Sequence, residues 1–146
     1  MEGVEGKIMS FQRDIDHLEA YLVDKYDIYV AFGYNDPNSC SELDKVITIN
    51  SRQSPRTRLY TLLHEAGHFV LFEEHDAQKL FPDIIYQPFG KRFTKANAID
   101  VVRNEVMAWE EGRNLAFKLG IEIDDKRWNN MRKKCLYDYC KWAVGD

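Results

Sequence analysis

Several features that would assign a chain to a membrane, a secretory pathway or a disulfide scaffold are scarce or missing here. No apolar run approaches the length of a membrane span, and residues 1–5 do not begin the basic-then-apolar pattern of a signal peptide. There are only three cysteines, and no two of them have CxxC spacing, which favours reduced thiols over a disulfide framework. We therefore expect a cytoplasmic protein without membrane contact.

The charged residues are nearly balanced and form no basic block. Twenty lysines and arginines accompany 24 aspartates and glutamates, which gives a net charge of −4. A nucleic-acid surface needs clustered positive charge, so we expect no direct binding of nucleic acid. Hydrophobic residues make up 45% of the 146 residues, enough to fill one core, and we expect a single domain over residues 1–146.

The most informative segment is an HExxH pentapeptide, residues 64–68, inside a run from Arg58 to Phe72 with helical periodicity. Because one helical turn separates His64 from His68, their imidazoles share a face and can bind one metal ion. Glu65 can direct its carboxylate at a water molecule on that ion. We expect Zn²⁺, because imidazole and carboxylate suit it and an open fourth position allows hydrolysis. The alternative is two structural histidines in an ordinary amphipathic helix.

The rest of the pattern predicts an α+β fold. We expect a small, mainly antiparallel sheet packed on the HExxH helix and on a long helix that carries Glu105. The predicted elements are a helix from Phe11 to Tyr26, strands from Ile28 to Phe32 and from Lys45 to Ile49, the HExxH helix with Ser54 as N-cap and Pro55 at its first position, a helix from Asn97 as N-cap to Leu119 with Gly120 as its stop, and a last helix capped by Asp124 and running through Ala143.

A long connection, from Glu73 to Lys95, separates the HExxH helix from the long helix. It contains two prolines, one glycine and four aromatic residues, Phe81, Tyr86, Phe89 and Phe93. Such connections often act as lids or binding loops, so these rings can line a substrate groove. With equal weight, they can simply pack the connection onto the core.

A catalytic zinc site needs a third protein ligand, and Glu105 is the best candidate. It lies in the middle of the apolar face of the long helix, where a carboxylate costs several kcal/mol unless it is paired or bound to metal. The alternatives are a buried pair of Glu105 with Arg58 or Arg103. His75 and Asp76 are close enough in sequence to replace Glu105 as ligand.

Gly112 lies one turn beyond Ala108 in the middle of this helix, where glycine costs about 1 kcal/mol. Close approach of another backbone would explain it, and the HExxH helix is the natural neighbour.

Two segments resemble known metallopeptidases. The strand at 46–50, followed by residues 58–63 running into HEAGH, resembles the ImmA/IrrE family. Residues 104–108, Asn-Glu-Val-Met-Ala, resemble the downstream glutamate helix of that family and of gluzincins generally. The resemblance covers about half of the chain, from Lys45 to Leu119, and the second half also resembles small phage-encoded proteins.

This resemblance implies a zincin-like fold with zinc held by His64, His68 and Glu105. It implies cleavage of peptide bonds in a protein substrate, such as a transcriptional repressor or another regulatory protein. The zinc-bound water attacks the carbonyl while Glu65 takes and returns its proton. The competing interpretation is a metal-stabilised binding protein that keeps the zincin frame without cleaving its partner.

Two parts of the mechanism stay open at the level of sequence. The donor that stabilises the oxyanion is unassigned, with Tyr60, His75 and Tyr86 as candidates. The strand from Val46 to Ile49 can pair with an extended substrate by strand addition.

Overall fold

The computed structural model describes residues 4–84 and 93–145, which form helices and a small three-stranded sheet. The elements in chain order are α1 (Val4–Tyr26), β1 (Tyr29–Gly33), β2 (Ser39–Ser41), β3 (Val46–Asn50), α2 (Pro55–Glu74), α3 (Ala77–Leu80), α4 (Lys95–Leu119) and α5 (Asp125–Val144). The predicted α+β class is confirmed. None of the helices in these ranges combines the length and the apolar character that a bilayer crossing requires.

The sheet has the order β1-β3-β2 and is mixed. β1 pairs with β3 in parallel over five residue pairs, whereas β2 pairs with β3 antiparallel over three. The prediction of a mainly antiparallel sheet is therefore wrong, because the longer ladder is parallel. The error arises from β2, whose Ser-Cys-Ser sequence has no β-branched or aromatic residue to signal a strand. In the chain β2 comes between β1 and β3, but in the sheet it lies on the far side of β3. Because β2 runs antiparallel to β3, β1 and β3 can run in the same direction.

The HExxH helix, α2, is the central element of the core. Ser54 caps its start by accepting a hydrogen bond from the Thr57 amide, and Pro55 occupies its first turn, as predicted. Every residue from Leu59 to Leu71 is buried, because α1, α4 and the sheet surround the helix. Ile47 and Ile49 of β3 lie in the same hydrophobic cluster. The HExxH motif is thus held in a rigid, packed environment.

The two helices that follow have clear caps. Thr94 accepts a hydrogen bond from the Asn97 amide at 3.0 Å, so α4 begins at Lys95 and not with Asn97 as its N-cap. The Asn97 side chain instead donates to the backbone carbonyl of Asp83 at 2.8 Å. Gly120 ends α4 in the left-handed conformation, and Asp124 caps α5 through the Arg127 amide; both were predicted.

The connection between α2 and α4 packs partly on the core. Phe81 is fully buried in a second cluster with Leu71, Ala77 and Ala108. Phe93 is largely exposed and makes an edge contact with the Trp142 ring. Tyr86 and Phe89 lie outside the described residues. Phe81 therefore packs the connection onto the core, as the second of the two interpretations predicted.

Helices α2 and α4 approach each other closely at two glycines. A methyl group at Gly112 would lie 2.6 Å from the Leu63 carbonyl oxygen, and one at Gly67 would overlap the Ala108 carbonyl oxygen. Real side chains do not tolerate such contacts with backbone atoms, so only glycine allows this spacing. The predicted reason for Gly112, the approach of the HExxH helix, is confirmed.

We expect Gly112→Ala to destabilise the protein by about 1–3 kcal/mol, because the added methyl group forces the two helices apart. Urea unfolding followed by circular dichroism measures this change. Asn114→Ala is the matched control, since Asn114 is exposed two positions further along the same helix. Equal stability of both variants would contradict the assigned packing role.

Candidate metal centre

Two neighbouring helices bring the predicted ligands together. His64 and His68 project from α2, and Glu105 projects from α4 between their rings. The Glu105 Oε2 atom lies 2.8 Å from His64 Nε2, and its Oε1 atom lies 2.9 Å from His68 Nε2. All three residues are at most 9% exposed. One carboxylate therefore contacts both imidazoles of the motif inside the core.

The arrangement fits a small divalent cation. Ligand atoms about 2.0–2.1 Å from a tetrahedral zinc ion lie roughly 3.3 Å from each other, within about half an ångström of the two observed distances. Imidazole nitrogen and carboxylate oxygen are also the donor types that zinc prefers. Among the described residues, the group whose donor atoms all lie within 4.8 Å of one another consists of His64, Glu105 and Cys135 and does not include His68.

The alternative roles for Glu105 do not match this geometry. Arg103 pairs with Asp100 at 2.9 Å, and neither Arg103 nor Arg58 forms an ion pair with Glu105 in the described part of the chain. His75 follows the end of α2 and lies 3.5 Å from Glu111, half-exposed.

Glu105 and His68 stabilise each other's charged forms. Burial by itself raises the pKa of Glu105, but hydrogen bonds with His64 and His68 outweigh it and hold that pKa well below its usual range. Burial would lower the pKa of His68, yet the Glu105 carboxylate raises it to about 9. The buried carboxylate is thus negative and attracts positive charge, whether from a proton or from a metal ion.

Glu65 is close to the paired ligands and is also buried. Its Oε1 atom lies 3.7 Å from His64 Nδ1. Burial raises the pKa of Glu65, and the Glu105 charge adds to this effect, while His68 and His64 partly offset it. A carboxylate whose pKa lies above its ordinary value is a better proton acceptor, as a general base requires.

Both imidazoles are oriented by further contacts from α4. Asn104 Oδ1 lies 2.7 Å from His68 Nδ1, which directs the Nε2 atom of that ring toward Glu105. The Trp109 indole stacks on the His64 ring, with 4.2 Å between centroids and 10° between planes. Each histidine is therefore fixed by a neighbour of Glu105 on the same helix.

Helix α5 also reaches this centre, which the sequence reasoning missed. The Cys135 thiol donates to Glu105 Oε2 at 3.8 Å, and Tyr139 lines the pocket beside the ligands. Burial, followed by the Glu105 charge, raises the pKa of Cys135 to about 12. From the sequence, α5 was expected only to close the core. Its inward-facing Cys135 and Tyr139 are one turn apart, a spacing that fits one helix face but does not indicate which neighbour that face contacts.

An open pocket of about 570 Å³ leads to the centre. Glu65, His68 and Glu105 form its inner wall, and β2 with the following residues forms another. Because β3 is paired on both sides, the predicted substrate pairing at Val46–Ile49 is wrong. Of the two edge strands, β1 and β2, it is β2 that lines the pocket. The pocket lining contains neither lysine nor arginine among the described residues.

Two of the candidate oxyanion donors, Tyr60 and His75, are not among the described residues that line this pocket. The Tyr60 hydroxyl accepts a hydrogen bond from the Asp124 amide at 2.9 Å. His75 pairs with Glu111, and Tyr86 lies outside the described residues. Tyr139 is the tyrosine that the described pocket lining contains.

Comparison with known proteins gives one match. No curated protein and no solved structure is significantly similar to the chain. The sequence model of the IrrE N-terminal-like domain, Peptidase_M78, matches residues 25–109, more than half of the 146 residues. The matched segment contains the HExxH motif and Glu105 but leaves α5 outside. The chain belongs to the IrrE N-terminal-like domain family of M78 metallopeptidases.

Proposed function

We propose that residues 1–146 form one zincin-like domain that hydrolyses peptide bonds of a protein substrate. In this proposal His64, His68 and Glu105 hold one zinc ion and Glu65 is the catalytic base. The observation that carries it is the Glu105 carboxylate, 2.8 and 2.9 Å from the two imidazoles of the HExxH motif. Membership of a peptidase family supports the class of reaction.

The residues divide the chemistry between them. A bound zinc ion would lower the pKa of a water molecule and polarise the scissile carbonyl. Glu65, at the inner wall of the pocket, accepts the proton of the attacking water and then delivers it to the leaving amine. The surrounding core keeps the Glu65 carboxylate next to His64.

The pocket also suggests how the substrate binds. An extended peptide can add to the free edge of β2, where backbone groups of Ser39–Ser41 border the pocket. We place the reaction in the cytoplasm, with a regulatory protein such as a transcriptional repressor as substrate and no nucleic acid in the site. The free cysteines and the acidic net charge support this placement.

We expect Glu65→Gln to lower turnover by about 10²–10⁴-fold while the protein keeps its zinc, because the amide cannot accept the proton. Cleavage assays and elemental analysis of the same preparation measure both properties. Glu110→Gln is the control for the loss of a negative charge, because Glu110 is an exposed carboxylate on α4. Unchanged turnover in Glu65→Gln would remove the proposed mechanism.

The same variant tests the function itself. Glu65→Gln serves as bait in a lysate of the source organism, and wild-type protein is then incubated with whatever is captured. Cleavage of a captured protein supports the peptidase. Capture without cleavage overturns it in favour of the non-proteolytic binding protein.

We expect Glu105→Ala to reduce bound zinc well below one ion per chain, because the variant loses the carboxylate that contacts both imidazoles. Elemental analysis after dialysis measures the stoichiometry. Glu110→Ala, which removes an exposed carboxylate from the same helix, should retain full occupancy. Full occupancy in Glu105→Ala would transfer the third-ligand role to another residue.

Asn104 is expected to act by orienting His68 through the contact at 2.7 Å. Loss of such an outer partner lowers metal affinity about 10–100-fold, which is the effect we expect for Asn104→Ala. Competition with a chromophoric chelator measures the affinity. Asn114→Ala removes an exposed asparagine from the same helix and should leave the affinity unchanged; a similar loss in both variants would argue against the orienting role.

A further inference from the structure

A sulfur atom lies beside two of the three proposed zinc ligands, His64 and Glu105, in a group of donor atoms that does not include His68. Donor atoms of His64, Glu105 and Cys135 all lie within 4.8 Å of one another. The two partners of this thiol are buried, and the thiol itself is half-buried on α5. Imidazole, carboxylate and thiolate are the three protein ligand types that zinc binds most often.

The cysteine approaches the carboxylate from one defined side. Glu105 Oε2 faces both His64 and Cys135, whereas Oε1 faces His68. The pocket is lined by His68 and Glu105 but, among the described residues, by neither His64 nor Cys135. The thiol is therefore on the protein side of the centre, away from the opening through which a substrate enters.

The other two cysteines do not share this environment. Cys40 lies on β2 at the pocket wall, and Cys140 is exposed on α5. No metal-compatible cluster of the described residues includes either of them. The position of Cys135 is thus specific to the site and does not reflect a general enrichment of thiols around it.

We propose that Cys135 is a fourth protein ligand of the metal ion, supplied by a helix that the family match does not cover. This inference rests on the proposed function, because it assumes a metal ion at His64, His68 and Glu105. On binding, the thiol loses its proton to solvent and the sulfur forms a coordinate bond to the cation; no redox change occurs.

A fourth protein ligand changes how the site is controlled. Sites with four protein ligands are closed, whereas hydrolytic sites keep one position for water. Cys135 therefore competes with the attacking water, and the position of α5 decides whether the centre is closed or open. Movement of this one helix, or modification of this one thiol, would then switch the peptidase.

Cobalt substitution tests this ligand without any activity assay. Co²⁺ is added to metal-free wild type, Cys135→Ser and Cys140→Ser, and the absorption spectra are recorded. We expect a thiolate-to-cobalt charge-transfer band in the near ultraviolet for wild type and Cys140→Ser, and no such band for Cys135→Ser. Affinity for Co²⁺ should fall about tenfold or more in Cys135→Ser.

The outcomes separate this inference from the function on which it rests. Identical spectra for wild type and Cys135→Ser at full occupancy overturn the fourth ligand and leave the three-residue site intact. Cobalt binding that persists unchanged in His64→Ala overturns the site itself. If Cys135→Ser does not fold, alkylation of wild type decides: zinc should protect Cys135 but not Cys140, and equal labelling of both overturns the proposal.

Discussion

The whole centre depends on the distance between two helix backbones. Gly67 and Gly112 let α2 and α4 approach until backbone atoms of one helix touch those of the other, and no larger residue fits at either position. This spacing brings the Glu105 carboxylate within hydrogen-bond reach of imidazoles that lie 41 and 37 residues earlier in the chain. The close packing of the two helices thus holds the proposed ligands next to one another.

Charge compensation is the second condition. A buried carboxylate costs several kcal/mol unless it has a partner. This centre contains two buried carboxylates, Glu65 and Glu105. The imidazoles of His64 and His68 offset the negative charge of Glu105, which is why its pKa is low although burial alone would raise it. Glu65 lies farther from His64, at 3.7 Å, and burial raises its pKa although His68 and His64 partly offset this effect. One centre therefore holds an ionised ligand beside a carboxylate suited to proton transfer.

The sequence was informative where the signal is local. The HExxH spacing, the caps at Ser54 and Asp124 and the helix stop at Gly120 follow from contacts within a few residues, and the structure has them. Glu105 was identifiable because a charge on an apolar helix face needs a partner. The strand β2 and the parallel ladder were not identifiable from the sequence, because a three-residue Ser-Cys-Ser strand depends on its pairing with β3. The approach of α5 also depends on tertiary packing.

The ring of Trp109 lies flat against the first histidine of the motif, 4.2 Å away. Indole emission is sensitive to the charge and electronic state of a stacked neighbour, so this side chain would act as a built-in optical probe. Two further tryptophans contribute to the signal. Trp128 is in edge contact with Trp109, and Trp142 lies on the last turn of α5 in contact with Phe93. Titration of the native chain with a cation can then be followed by fluorescence, without a label.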